Sequence, residues 1–400
     1  MPITPQMATE AIAARLAPLP AEVRPLTECI GRILREDVYA ERDNPPFDRV
    51  CMDGIAIRSE AFRKGVRRFT IEATQAAGAP ALTLSGAEAA VEVMTGAMMP
   101  RGTDCVIPLE EYDVAAGVVC LKSRTSGDPY RNVQRRGSDS QPGVPMLRAG
   151  MRLGAPEIAV VASAGLAQVS VSRQPRIMVV STGDELVDPG EPIAEHQVRR
   201  SNAYALTAAL REHGFANVGD DHSRDSEEML HEHLARHLAE RDVLVLSGGV
   251  SKGRFDYVPK VLQSLHVDEV FHEVAQRPGR PMWFGVGPRG QAVFGLPGNP
   301  VSTLICLIRY VIPAMNAAMM AAEIAPEPIG LSSPIPRALP MASFVPVSIR
   351  YDARGAHSAL PRSPNGSGDF LALAGTDGFI ELPPRTEACP AGFIASLYRW

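Results

Sequence analysis

Four short segments between residues 176 and 302 combine glycine, hydroxyl, carboxylate, proline and arginine in patterns suited to holding an anion. In Val180-Ser-Thr-Gly-Asp-Glu-Leu186, Gly183 permits a tight turn, with Ser181 before it and two neighbouring carboxylates, Asp184 and Glu185, after it. Such oxygen donors suit a hard cation such as magnesium, and a turn with merely solvated acids is the competing reading. In Leu246-Ser-Gly-Gly-Val-Ser-Lys-Gly-Arg-Phe-Asp-Tyr257, Gly248 and Gly249 would let backbone amides approach a phosphate, and Ser247 and Ser251 add hydroxyl donors. Asp256 is placed to cap a following helix, and a flexible loop is the alternative. In Leu296-Pro-Gly-Asn-Pro-Val-Ser302, Pro297 and Asn299 make a stiff turn, Pro300 suits a first helical position and Ser302 is available to a ligand. In Gln276-Arg-Pro-Gly-Arg-Pro281, Arg277 and Arg280 flank a Pro-Gly turn, and their forked donors match an oxyanion, although the segment alone also reads as a surface loop.

Other patterns carry less. Gly285-Val-Gly-Pro-Arg-Gly290 satisfies GxGxxG but lies between two strand-like runs, so a hairpin turn is expected rather than a dinucleotide site. His231, His233 and His237 share one charged helix, and with no third ligand signal a solvated face is expected. No GxxxxGK[ST] loop is present, which disfavours a P-loop kinase or GTPase.

The elements that must position these loops alternate. A buried strand from Arg176 to Val180 leads to a helix from about Ser201-Asn202 that stops at Gly214, and then to a second helix opened by Asp225 with Glu228 three residues on. A strand from Asp242 to Leu246, a helix from Asp256, strands at Pro281 to Val286 and Gln291 to Leu296, and a helix from Val301 follow. This alternation predicts an α/β domain with a parallel sheet, in which ligands sit at the carboxyl ends of the strands. Upstream, residues 1 to 42 read as largely helical, including Leu26 to Ala40, whereas Phe69-Thr-Ile-Glu-Ala, Ala90-Val-Glu-Val-Met and Cys105-Val-Ile-Pro read as strands. Past Pro326, proline-rich sequence gives way to the strand-like Phe344-Val-Pro-Val-Ser-Ile and Gly378-Phe-Ile-Glu-Leu-Pro, and no repeat of 20 to 50 residues is evident. The expected division is a linking domain at 1–43 and 148–174, an inserted mostly-β domain at 44–147, an α/β domain at 175–322 and a C-terminal β domain at 323–400.

Composition sets the outer limits. Four hundred residues, 45% of them hydrophobic, can bury several cores. The net charge of −5 and the lack of a long run of one sign argue against a nucleic-acid coat. A start without a basic and apolar leader, and no run of about twenty uncharged apolar residues, predict a cytoplasmic protein with no membrane role. Cys29, Cys51, Cys105, Cys120, Cys306 and Cys389 are scattered, which fits reduced thiols better than a disulfide framework or zinc site.

Taken in order and spacing, the four segments resemble the molybdopterin molybdenumtransferase family, MoeA and the E domain of animal gephyrin. Pro46-Phe-Asp-Arg-Val-Cys-Met-Asp-Gly54, Met94-Thr-Gly96 and Arg136-Gly-Ser-Asp139 extend the resemblance, which is firm from about 45 to 315. It implies a four-part elongated subunit in a homodimer, with the inserted domain of one subunit facing the α/β domain of the other. The implied reaction takes adenylylated molybdopterin and molybdate, uses Mg2+, and yields molybdenum cofactor and AMP. Other molybdenum-cofactor enzymes are implied as further partners.

Residue by residue, the resemblance implies an acidic set of Asp53, Asp139, Glu185, Asp225 and Asp256 with Thr95 beside them, of which Asp53, Asp139, Glu185 and Asp256 would hold the metal. Ser181, Gly183 and Asp184 would support that loop, and Ser247, Gly248, Gly249 and Ser251 would cradle the pterin phosphate end. Arg277, Arg280, Pro297, Asn299, Pro300 and Ser302 would line the substrate and molybdate pocket, reached by Ser367 of Asn365-Gly-Ser-Gly368. Arg277 and Arg280 stand where the family often has lysine, and Glu273 where a basic residue is common. A molybdopterin adenylyltransferase shares the Thr-Gly-Asp and Ser-Gly-Gly loops and is the alternative enzyme, although the extra domains and motifs favour insertion. A scaffold role is the non-enzymatic alternative.

Overall fold

The computed structural model describes residues 2–250, 257–336, 339–362, 364–384 and 387–400. The chain opens with helix Pro5–Ala13, whose N-cap Thr4 accepts from the Met7 amide at 3.2 Å and whose Pro5 stands where a helix needs no amide donor. Strand Ala21–Pro25 then pairs antiparallel with Gln168–Ser172, so the first residues and those after 147 form one unit.

The helix expected over Leu26 to Ala40 is not there. Only a single 3-10 turn, Leu26–Glu28, and the two-residue strand Val38–Tyr39 occur in that stretch. Its amides bond to distant carbonyls instead, Gly31 to Leu153 at 2.7 Å, Leu34 to Met151 at 2.9 Å and Arg35 to Ser170 at 2.9 Å. Gly31 turns the chain at φ +74. The helix-like spacing of Cys29, Ile33, Leu34 and Val38 arises because an irregular segment buries all four, three of them in a core with Leu153, Val161 and Val171.

In the inserted part, a six-stranded sheet runs in the order Cys105–Pro108, Gly54–Ile57, Ala89–Val93, Arg68–Gln75, Val118–Leu121, Tyr112–Ala115. The three strand-like runs expected there are strands. Alternation sends Ile55, Ile57 and Phe69 to one core and Ala56, Val91 and Val106 to another. Gly54 permits the tightest crossing, since a Cβ there would lie 2.0 Å from the Ile107 carbonyl oxygen.

The α/β part holds a sheet in the order Val218–Ser223, Ile177–Thr182, Val243–Ser247, Ala292–Leu296, Trp283–Val286, Asp268–His272. The first four strands are parallel, but Trp283–Val286 runs antiparallel to both its neighbours, Ala292–Leu296 and Asp268–His272, so the expected parallel sheet is mixed. The reversal is the 287–290 hairpin, closed by Gly287 N to Gln291 O at 2.8 Å, which is the turn expected of the GxGxxG decoy. Helix Ser201–Glu212 and the helical run Pro300–Ala318 cover one face through Leu206, Leu210, Val301 and Ile305. Helices Glu227–Glu240 and Val258–Ser264 cover the other through Leu230, Leu234, Val261 and Leu262. The run Pro300–Ala318 is long and apolar enough to cross a membrane, but 72% of its apolar window is buried inside the protein, and Arg309 within it pairs with Glu381.

Two helix-start expectations change. The second helix begins at Glu227 with Ser226 as N-cap and no side-chain capping bond, because Asp225 belongs to the preceding loop, its amide donating to Asp184 Oδ1 at 3.3 Å. Helix Val258–Ser264 has Tyr257 as N-cap, and Asp256 lies outside the described residues. The histidine face is also not wholly solvated: His231 is exposed, but His237 is 4% exposed and its Nε2 meets Asp221 Oδ2 at 2.6 Å, with His233 Nδ1 at 3.2 Å from the same oxygen.

At the C-terminal end, Ala342–Tyr351, Gly378–Leu382, Ile394–Arg399 and Glu327–Gly330 form a sheet in that order, with His357–Pro361 beside the first. Its other edge recruits Gln276–Arg277, which pairs with Ala342 and Ser343. The arginine turn is thus fastened to the C-terminal sheet.

Candidate functional site

Register explains why the expected loops meet. Ser181 pairs with Ser247, and Ser247 with Leu296, so three parallel strands end level and release their loops at one edge. There Gly248 and Gly249, at φ +97 and +66, pack on Thr182, and a Cβ on them would stand 3.1 and 2.9 Å from its Oγ1. The Gly248 amide donates to the Leu296 carbonyl at 3.3 Å. Ser181 Oγ and Thr182 Oγ1 are buried with no hydrogen-bond partner among the described residues. Buried hydroxyls are normally satisfied, and at the carboxyl edge of a parallel sheet a ligand's oxygens can serve as the partner.

Asn202, which sequence reasoning used only as a helix start, ties these loops together. Its Nδ2 donates to Ser247 Oγ at 3.0 Å and to the Gly298 carbonyl at 2.8 Å. The Gly298 carbonyl only accepts, so the amide nitrogen must face it. Asn299 caps helix Pro300–Cys306 through its backbone, Pro300 takes the first helical position and Ser302 is buried behind it. Thr303 Oγ1 bonds the Pro297 carbonyl, which locks the turn. Ser367 does reach this helix, its carbonyl accepting from the Val301 amide at 2.9 Å.

Beside these loops, Asp184 and Glu185 are exposed, and Gly183 has φ +147, a backbone that favours glycine. A Cβ at Gly183 would sit 2.5 Å from Glu185 Oε2, so the Glu185 carboxylate folds back over its own turn. The Asp225 amide joins through Asp184. Ser251 and Asp256 lie outside the described residues.

The arginine turn is anchored by a residue that sequence reasoning passed over. Buried Gln276 donates to the carbonyls of Pro278 at 3.3 Å and Gly279 at 3.1 Å, and accepts from Tyr310 Oη. Burial pushes the Tyr310 phenol well above its usual range, so it stays a donor. Arg277 is exposed, and Arg280 lies 3.3 Å from Glu273 Oε2.

The remaining expected residues form a separate group in the inserted part. Asp53 Oδ1 accepts from the Thr95 amide at 2.6 Å and the Thr95 hydroxyl at 2.7 Å, and these two bonds hold its carboxyl below the usual carboxylate range. Asp139 accepts from Gln134 Nε2 at 2.8 Å on both oxygens and from Ser138 Oγ at 3.0 Å. The segment from Arg49 to Cys51 runs between them, pairing with Gln134 and Val133 on one side and receiving the Gly96 amide at 2.9 Å on the other. Among the described residues, no group of three or more histidine, cysteine, aspartate or glutamate side chains is close enough to hold a metal ion.

Comparison with known proteins bears on this arrangement. Three family models match in sequence, the MoeA N-terminal region (domain I and II) over residues 3–165, a probable molybdopterin binding domain over 178–317 and the MoeA C-terminal region (domain IV) over 328–398. A molybdopterin molybdenumtransferase of Synechocystis sp. is 39% identical over 371 residues, covering 92% of this chain and 93% of that protein. The chain belongs to the molybdopterin molybdenumtransferase family. A relative of the same name from Staphylococcus epidermidis is 31% identical over 378 residues, covering 93% of this chain and 89% of its own. Two solved MoeA proteins of molybdopterin biosynthesis share the architecture. That from Pyrococcus horikosii has TM-score 0.80 and 29% identity over 100% of this chain and 99% of its own, and that from Pyrococcus horikoshii OT3 has TM-score 0.83 and 25% identity over the whole of both.

Within this chain, then, glycines, serines and prolines of the expected site converge at one sheet edge, while Asp53, Thr95 and Asp139 bond only within the inserted part among the described residues. Asn202 and Gln276 are the residues missed. Asparagine and glutamine carry no motif of their own, and their partners lie 45 to 96 and 34 positions away.

Proposed function

We propose that this chain transfers molybdate to adenylylated molybdopterin, with release of AMP and formation of molybdenum cofactor. The observation that carries the reading is the convergence of the Thr182, Gly248 and Gly298 turns beside two buried hydroxyls that have no partner among the described residues, an arrangement fitted to phosphate oxygens. Family membership names the phosphate's bearer, since the relatives are called molybdopterin molybdenumtransferases.

In this reading Ser181, Ser247, Gly248, Gly249 and Ser251 hold the phosphate end of the pterin. Arg277 and Arg280, with Pro297, Asn299, Pro300, Ser302 and Ser367, form the pocket for the rest of the substrate and for molybdate, guanidinium forks meeting the oxyanion. The donor set of exposed carboxylates, Asp184 and Glu185 at the sheet edge and the ionised Asp53, fits a hard divalent cation. Asp53, Asp139, Glu185 and Asp256 would hold Mg2+, assisted by Thr95 and Asp225, and the ion would offset negative charge on the pyrophosphate as its P–O bond breaks.

Because Asp53 and Asp139 sit in the inserted part and Glu185 in the α/β part, the complete set is assigned to two subunits of a homodimer. The domain limits 1–43 with 148–174, 44–147, 175–322 and 323–400 are proposed on the same footing, the last three each having a buried cluster of its own, while a further core joins the first helix, the α/β part and the C-terminal part. Six cysteines, all free, fit a cytoplasmic location, and delivery to other molybdenum-cofactor enzymes is the proposed next step. The test is incubation with adenylylated molybdopterin, magnesium and molybdate, reading AMP release and reconstitution of a molybdenum-dependent enzyme. Formation of neither product refutes the proposal, and a parallel run with tungstate defines the oxyanion.

A further inference from the structure

Gly183 is gripped from the neighbouring strand Val218–Ser223 at both of its backbone groups. Its amide donates to the Ser223 carbonyl at 3.3 Å, and its carbonyl accepts from His222 Nε2 at 2.9 Å and from the Leu186 amide at 3.4 Å. A carbonyl only accepts, so Nε2 carries a proton, a condition met by both the neutral Nε2–H tautomer and the imidazolium. From this geometry we infer that His222 is a positioning residue, which fixes the Gly183 peptide and thereby aims the carboxylates of Asp184 and Glu185. The inference rests on the proposal above that these carboxylates serve magnesium and the pyrophosphate.

Peptide planarity makes the clamp effective. Holding the Gly183 oxygen also holds the Asp184 nitrogen, because the two lie in one rigid unit. Glycine is the residue freest to rotate that unit, and Gly183 carries no side chain to restrain it. Glu185 lies folded over Gly183, so a rotated peptide displaces the carboxylate as well.

The imidazole itself stands on a firm base. His222 pairs in register with Ser181, and its amide donates to Asp221 Oδ1 at 2.8 Å. Asp221 is tied in turn to helix Glu227–Glu240, through His237 Nε2 at 2.6 Å and Arg236 at 3.0 Å. The clamp therefore connects the Gly183 turn to the packed helix layer beneath the sheet.

The test compares His222→Gln, whose amide can replace Nε2 as donor, with His222→Ala and His222→Asn, which cannot reach Gly183. Hydrogen exchange is read on the peptide spanning 183–187, alongside the magnesium concentration for half-maximal AMP release and the KM for adenylylated molybdopterin. Losing one hydrogen bond of ordinary strength predicts about fivefold faster exchange and about a fivefold higher magnesium requirement in the alanine and asparagine variants. The glutamine variant should stay within twofold of the parent, and KM for the pterin substrate should move little. Unchanged exchange in His222→Ala and His222→Asn overturns the inference, as does a glutamine variant as loose as alanine. Faster exchange with an unchanged magnesium requirement supports the clamp and refutes the assignment of Asp184 and Glu185 to the metal. If alanine fails to fold, the asparagine and glutamine pair makes the same comparison.

Discussion

Replacing Asn202 with aspartate changes one amide nitrogen to oxygen and nothing in shape. In the parent, Nδ2 serves Ser247 Oγ at 3.0 Å and the Gly298 carbonyl at 2.8 Å. In Asn202→Asp the serine hydroxyl can turn to donate to the new carboxylate, but the Gly298 carbonyl then faces another oxygen and loses its only possible role as acceptor there. One lost bond plus an unmet carbonyl at a partly exposed position costs about 1–2 kcal/mol. If that cost falls on the arrangement of the 247–249 and 296–298 loops in the transition state, kcat/KM for AMP release drops about 5- to 30-fold. The assay is steady-state AMP release at saturating magnesium and molybdate, with thermal unfolding measured alongside. A double-mutant cycle with Ser247→Ala should show coupling of at least about 0.5 kcal/mol, since the two side chains touch. Activity within twofold of the parent, or strictly additive effects in the cycle, would refute the loop-tie argument.

Three further outcomes follow from geometry at separate places. Gly249→Ala must hold φ +66 while its Cβ lies 2.8 Å from Val258 Cγ2, so urea unfolding should show a loss of about 1–3 kcal/mol, and parental stability would contradict the close packing. Thr95→Val keeps the backbone bond to Asp53 but removes the hydroxyl, so the depressed Asp53 pKa rises and the acid limb of the activity profile moves to higher pH. An unmoved limb would separate Asp53 from the reaction. At Asp242, burial raises the carboxyl pKa, but bonds from Arg173 and Arg176 outweigh it and leave the group far below its ordinary value. A depressed folded pKa contributes stability that is present above the unfolded value, about 4, and lost as pH falls below it. Asp242→Asn should therefore cost about 2–3 kcal/mol in urea unfolding at pH 7 and about 1 kcal/mol less than that at pH 3, the remainder being lost only as pH falls through the folded pKa, and equal costs at both would contradict the ion-pair account.

What was legible in the sequence was what local chemistry dictates. Strand-to-helix alternation from residue 177 onward exposed the α/β layer, because buried strands such as Ile177–Thr182 are short apolar runs and turns such as Gly248-Gly249 need positive φ. Leu26 to Ala40 misled because burial from several sides imitates helical spacing when the partners are supplied by residues 151 to 170. Sheet polarity at Trp283–Val286 and the pairing of Arg277 with Ser343 depend on register between distant strands, which leaves no mark on either segment. Likewise, histidine at 222 looked unremarkable until the parallel pairing of Ser181 with His222 brought it to Gly183.

The same distinction bears on the acidic set, whose members the resemblance divided between the inserted domain of one subunit and the α/β domain of the other. Asp53 is oriented by Thr95 on a sheet of the inserted part, and Glu185 by its own turn at the α/β edge, so each is prepared independently of the other. If a second subunit unites them, inactivating substitutions in the two groups must complement. Asp53→Ala and Glu185→Ala homodimers would each be inactive, but subunit exchange produces mixed dimers in which one site carries both substitutions and the other carries neither. Random exchange makes half the dimers mixed, with one good site of two, so AMP release should recover to about one quarter of the parental rate. A site contained within a single chain would recover nothing, because every chain in the mixture bears one of the two changes. Recovery that depends on exchange, absent when the two proteins are cross-linked before mixing, would locate the chemistry between subunits, and its absence after demonstrated exchange would return the acidic set to one chain.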